Sequence, residues 1–159
     1  MHDPVDEWRQ EGRLCVWRYA DPGRGWGGWH LTGDPAGCRS VRNLLDRLHG
    51  GPGRYRTLRL EPVTEAVLSV PNYSKKHDGS FAKLRLVYEP EGEDLDLSIE
   101  GDVLIMTVGS KRLRKLAAAL TEVEVGGGDF GIVTSDRRKA QGWMFWWMPD
   151  VKYNWGMRK

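Results

Sequence analysis

The sequence predicts an α+β fold: a mainly antiparallel sheet of about six to eight strands, with two helices packed on one face. Two observations carry this expectation. Strand-like segments come in hairpin runs and not in β-α-β alternation. Only two stretches, about 35–49 and 110–124, repeat apolar residues at helical spacing over a full helix length.

The first strand lies at 13–19, where Leu14 and Val16 alternate with Cys15, Trp17 and Tyr19. The turn-forming run "ADPGRG" leads to a returning strand, "WGGWHL", at 26–31. Asp34 is placed to cap the first helix, and Pro35 suits its first position. Cys38, Val41, Leu44, Leu45 and Leu48 form its apolar stripe, and His49 with the glycines after it ends the helix. Residues 55–61 alternate as a half-exposed strand. Residues 62–71 fit either a short helical turn or an extended segment, and 72–80 read as a polar loop.

Three successive strands follow at 81–89, 95–100 and 103–108, the pattern of an antiparallel meander. Ser110 is expected to cap the second helix, with Leu113, Leu116, Ala117, Leu120 and Val123 as its stripe. Its first turn carries Lys111, Arg112, Arg114 and Lys115, at the end where the helix dipole favours acids. Pairing with the acidic hairpin before it would offset that mismatch. "DFGIV" and "WMFWWM" are the last two strands. The two ββα stretches suggest a loose repeat, without residue-level self-similarity.

A length of 159 residues suits one domain, with 1–8 and 149–159 as flexible or peripheral tails. The chain is 40% hydrophobic and 29% charged, which excludes a disordered composition. No apolar run approaches the roughly 20 residues of a membrane span. The N-terminus is acidic and lacks the pattern of a signal peptide, so the expected compartment is the cytoplasm. Arginine-rich, glycine-rich usage suggests a GC-rich bacterial genome. The net charge is only +2, but it is polarised. Glu91, Glu93, Asp94, Asp96, Glu100 and Asp102 cluster without a base, whereas 109–118 and the C-terminal part are basic.

Most catalytic motifs fail on context. Gly23, Gly25 and Gly28, and again Gly126, Gly128 and Gly131, spell G-x-G-x-x-G, but neither set follows a strand and opens a helix. Asp129-Phe130-Gly131 matches the kinase metal-binding triplet without the other kinase motifs. His2, His30, His49 and His77 have no ligand spacing, and His30 reads as a partly buried strand residue. Cys15 and Cys38 read as reduced, buried thiols. The acids of 91–102 read as the solvated face of a strand. No catalytic residue, metal or cofactor is expected.

What remains is aromatic and basic surface. The strand 143–148 has no polar face: Trp143, Phe145 and Trp147 lie on one side, and Met144, Trp146 and Met148 on the other. Interleaved tryptophan and arginine suit a protein interface. The expected function is therefore a non-enzymatic protein-binding role of immunity-like or regulatory type. Its expected partner-binding residues are Met144, Trp146, Met148, Arg137, Arg138, Lys139, Trp26 and Trp29. The alternative is a nucleic-acid-binding module using the same basic and aromatic residues. An enzyme assembled from scattered residues is third, and a homo-oligomer is compatible with any of these.

Overall fold

The computed structural model describes residues 4–19, 28–49, 55–70, 77–128, 130–133 and 142–153. In chain order the elements are α1 (Pro4–Glu7), β1 (Leu14–Tyr19), β2 (Trp29–Gly33), α2 (Pro35–Leu48), β3 (Tyr55–Arg59), α3 (Glu65–Leu68), β4 (His77–Ser80), β5 (Lys83–Glu89), β6 (Leu95–Glu100), β7 (Val103–Gly109), α4 (Ser110–Glu124), β8 (Phe130–Val133) and β9 (Gly142–Trp146). The class is α+β, as predicted. The strands form two sheets, in the orders β4-β1-β2-β9-β8 and β3-β5-β7-β6.

Each sheet holds one parallel pair, β2 with β9 and β5 with β7. The expected meander over 81–108 is therefore corrected. β6 pairs antiparallel with β7, but β5 lies on the far side of β7 and runs parallel to it. Composition explains the placement. β7 presents Val103 and Ile105 on one face and Leu104, Met106 and Val108 on the other, which suits an inner strand. β6 turns Asp96, Ser98 and Glu100 outward, and a charged strand belongs at an edge.

The two ββα stretches turn out to be halves of one repeated plan. β1-β2-α2-β3-β5 and β6-β7-α4-β8-β9 both run ββαββ, with α3 and β4 inserted into the first. Each half gives its closing strand to the other: β5 pairs with β7, and β9 with β2. The pairs Trp29 and Leu104, Leu31 and Met106, Cys38 and Leu113, Val41 and Leu116, Leu45 and Leu120, and Leu48 and Val123 keep one constant separation in the chain. All twelve side chains are buried. Only Leu45 and Leu120 are the same residue type, so the repeat survives as a burial pattern and not as sequence identity.

α2 and α4 pack against each other, and one core joins their apolar faces to the inner faces of both sheets. Arg39 and Arg42 of α2 pair with Glu124 of α4 along the rim of that contact. Asp34 caps α2 as predicted, accepting from the Gly37 N–H at 2.7 Å. α4 differs from expectation. Gly109 is its N-cap, with no side-chain capping bond, and Ser110 is already helical. Arg112 turns inward and is fully buried, while Lys111, Arg114 and Lys115 stay exposed.

Described residues near both ends join the packing. Val5 and Trp8 are buried in the main core, and the Trp8 indole N–H donates to the Ser40 carbonyl at 2.8 Å. Val151 and Tyr153 pack on a second apolar cluster. The segment read as ambiguous at 62–71 contains the single turn α3, capped by Thr64. Within the stretch read as a loop, His77–Ser80 forms β4 on the edge beside β1.

Candidate functional site

The tryptophan strand lands inside the five-stranded sheet. β9 lies between β2 and β8, and each of its faces meets an apolar cluster. Trp143 and Phe145 enter the main core, while Met144 and Trp146 face a second one. Trp147, expected beside Trp143 and Phe145, lies past the end of β9, where alternation stops, and packs on the second core instead. A strand with no polar side is what a doubly covered position requires.

The second core is small and aromatic. Cys15, Trp17 and Tyr19 of β1 meet Trp146 and Met148, and α3 supplies Val67 and Leu68 above them. Val63, Val70, Trp147, Val151 and Tyr153 close its margin. At its centre His30 is fully buried. Its ring stacks on Trp17 with centroids 5.4 Å apart, and meets Tyr19 edge-on at 4.9 Å. The Trp146 indole N–H donates to His30 Nδ1 at 2.9 Å. An accepting Nδ1 requires a neutral ring with its proton on Nε2. The Tyr19 hydroxyl donates to the Leu68 carbonyl at 2.8 Å, which ties α3 to the sheet. The Tyr153 hydroxyl accepts from the Met148 N–H at 3.0 Å.

A cavity of about 260 Å³ opens beside this core, between β1, the segment 61–67 and residues 148–150. Cys15, Val67 and Met148 form its apolar floor, and Arg13, Glu61 and Asp150 stand among its lining. Arg13 donates from Nη1 and Nη2 to the two Asp150 carboxylate oxygens at 2.9 and 3.0 Å. Its Nε reaches Asp34 at 3.3 Å. The Arg13 contacts hold the Asp150 carboxyl below its usual range. Burial, aided by the Glu61 charge, pushes the Cys15 thiol up to about 11. Cys38 is pushed up to about 12, again chiefly by burial. Neither thiol is activated as a nucleophile.

The four-stranded sheet offers a different surface. Its inner face enters the main core, and on its outer face the strand pairings align three rows. Tyr55, Val87, Thr107 and Asp96 form one. Thr57, Arg85, Ile105 and Ser98 form the second. Arg59, Lys83, Val103 and Glu100 form the third. Val87, Val103 and Ile105 are half-buried and belong to neither apolar cluster. Bases stand on the β3–β5 side and acids on the β6 side. The Arg85 guanidinium lies 5.5 Å from the centre of the exposed Tyr55 ring.

Of the residues expected to bind a partner, Trp29 is buried in the main core against Phe81 and Trp143. Trp146 and Met148 are buried in the second core, and Met144 is half-buried at its edge. Folding has brought Met144, Trp146 and Met148 together, but as packing. Trp26, Arg137, Arg138 and Lys139 lie outside the described residues. The outer face of β3-β5-β7-β6 was missed because its members come from four segments, none carrying more than two apolar residues outward. Among the described residues, no three His, Cys, Asp or Glu side chains converge as a metal site, and no helix is long and apolar enough to cross a membrane. Comparison with known proteins finds no matching family model, no matching curated protein and no matching solved structure.

Proposed function

We propose that the chain is a binding protein, without catalytic chemistry of its own, whose partner is another protein seated on the outer face of β3-β5-β7-β6. One observation carries the reading. That face carries three half-buried β-branched residues, Val87, Val103 and Ile105, interleaved with charged side chains, and apolar surface among charges suits a protein interface. Among the described residues, the helices α2 and α4 pack on the opposite side of the sheet. The face is basic on its β3–β5 side, at Arg59, Lys83 and Arg85, and acidic on its β6 side, at Asp96 and Glu100, so it suits a partner with the opposite polarity. An immunity-like or regulatory role, in which the face masks an enzyme or toxin, is the form this proposal takes.

The test is co-purification from the native host with the wild type and an Ile105→Lys variant. Ile105 is outside both cores, so the variant should keep the wild-type circular dichroism spectrum and unfolding midpoint. Recovery of one partner by the wild type and its loss with the variant supports the reading. Equal recovery by both overturns the assignment of this face. Salt-dependent retention of the wild type on single-stranded RNA, with no protein partner, favours the nucleic-acid alternative instead.

A further inference from the structure

The cavity beside the second core is separate from the open sheet face, and its chemistry is different. Its volume, about 260 Å³, falls just under the roughly 300–1,000 Å³ of drug-sized ligand pockets, so its occupant is small. The floor of Cys15, Val67 and Met148 asks for hydrocarbon. The mouth carries an uneven charge. Arg13 is the one cation among the lining residues, and it is already engaged by Asp34 and Asp150. The Glu61 backbone N–H donates to the Leu14 carbonyl at 2.8 Å, which holds this residue beside β1. Its carboxylate has no ion-pair partner among the described residues. Two lining carboxylates, Glu61 and Asp150, against one guanidinium leave the mouth negative.

We propose that this cavity is a binding site for a small amphipathic cation, a primary alkylamine whose chain lies on Cys15, Val67 and Met148 and whose ammonium group sits at Glu61. An anionic head would meet Glu61 and Asp150, and would have to draw Arg13 away from two bonded carboxylates. A neutral head gains the floor without the charge. The rank order of head groups is therefore ammonium, then hydroxyl, then carboxylate.

The experiment titrates the full chain with n-hexylamine, n-hexanol and n-hexanoate at matched ionic strength, reading backbone amide shifts by NMR. n-Hexylamine should move amides in 61–67 and 148–151 saturably and bind most tightly, with n-hexanoate the weakest. Glu61→Gln should weaken n-hexylamine about twofold to fivefold, the size of an exposed ion pair, and leave n-hexanol unchanged. Glu61 is exposed, so the variant is expected to fold, and its amide spectrum reports that directly. The proposal is overturned if n-hexanoate binds as well as n-hexylamine, if the shifts do not saturate or fall elsewhere, or if Glu61→Gln leaves n-hexylamine binding unchanged.

Discussion

Trp146 and His30, on neighbouring parallel strands, share a buried hydrogen bond of 2.9 Å from indole Nε1 to imidazole Nδ1. It joins the strand nearest the C-terminus to the first hairpin and sits where neither group reaches water. His30→Phe removes the acceptor and leaves the indole N–H buried. A loss of about 1–3 kcal/mol is expected, from the desolvation penalty of an unmet donor. Urea unfolding of His30→Phe, Trp146→Phe and the double variant measures it. A double variant as destabilised as the two singles summed would show that the bond contributes nothing.

The repeated ββαββ plan makes Leu45 and Leu120 counterparts, buried on the facing helices α2 and α4. Each Leu→Ala substitution should destabilise by about 2–5 kcal/mol, the range for fully buried leucines. The two losses should agree more closely with each other than with that of Ile99→Ala. Ile99 is 52% exposed on the edge strand β6, so its loss should be well under 1 kcal/mol. Chemical denaturation of the three variants tests the ranking.

Both thiols should be silent in the folded protein. Cys15 is pushed up to about 11 and Cys38 to about 12, in each case mainly by burial. At pH 8 a disulfide reagent should titrate neither until the protein is denatured, and both afterwards. The linkage has a definite sign. A folded-state value above the unfolded one favours the native state fully below the ordinary 9.0, and that contribution fades as pH rises toward 11–12. Replacing both cysteines by alanine should remove this part of the alkaline destabilisation.

Asp34 and Asp150 both bind Arg13 but should differ in consequence. Asp34 also caps α2, and it accepts from the backbone N–H groups of Arg13 and Gly37 at 2.9 and 2.7 Å. Asp34→Ala should lose about 1–2 kcal/mol or somewhat more. Asp150→Ala breaks only an exposed pair and should stay within about 1 kcal/mol. Asp150 is depressed below its ordinary 3.8, so its contribution is present above that pH and is lost as pH falls through the folded value. Acid unfolding of Asp150→Asn should therefore lack a small pH-dependent component below pH 3.8.

Local signals carried much of the fold. Asp34 with Pro35, followed by apolar residues at helical spacing, marked α2 because capping and periodicity act within a few residues. Leu95, Leu97 and Ile99 marked β6 by strict alternation. Strand partners were a different matter. Nothing near residue 143 announces that Trp143 lies beside Trp29, because parallel pairing joins segments far apart in the chain. The α4 cap was misplaced by one residue because Gly109 and Ser110 both suit the position. The candidate site was the least legible part. Aromatic residues signal burial and binding equally, and only the second core separated the two for Trp146 and Met148.

By itself, the sequence determined the class, the two long helices, most strand positions and the two-faced character of residues 143–146. Those follow from propensity and periodicity, which are local. Only the tertiary structure decided that there are two sheets, that each half of the chain completes the other's sheet, and that α3, Val151 and Tyr153 help cover the second face of the tryptophan strand. It also decided which surface stays open. A residue is exposed when no distant segment packs on it, and that depends on all the pairings at once.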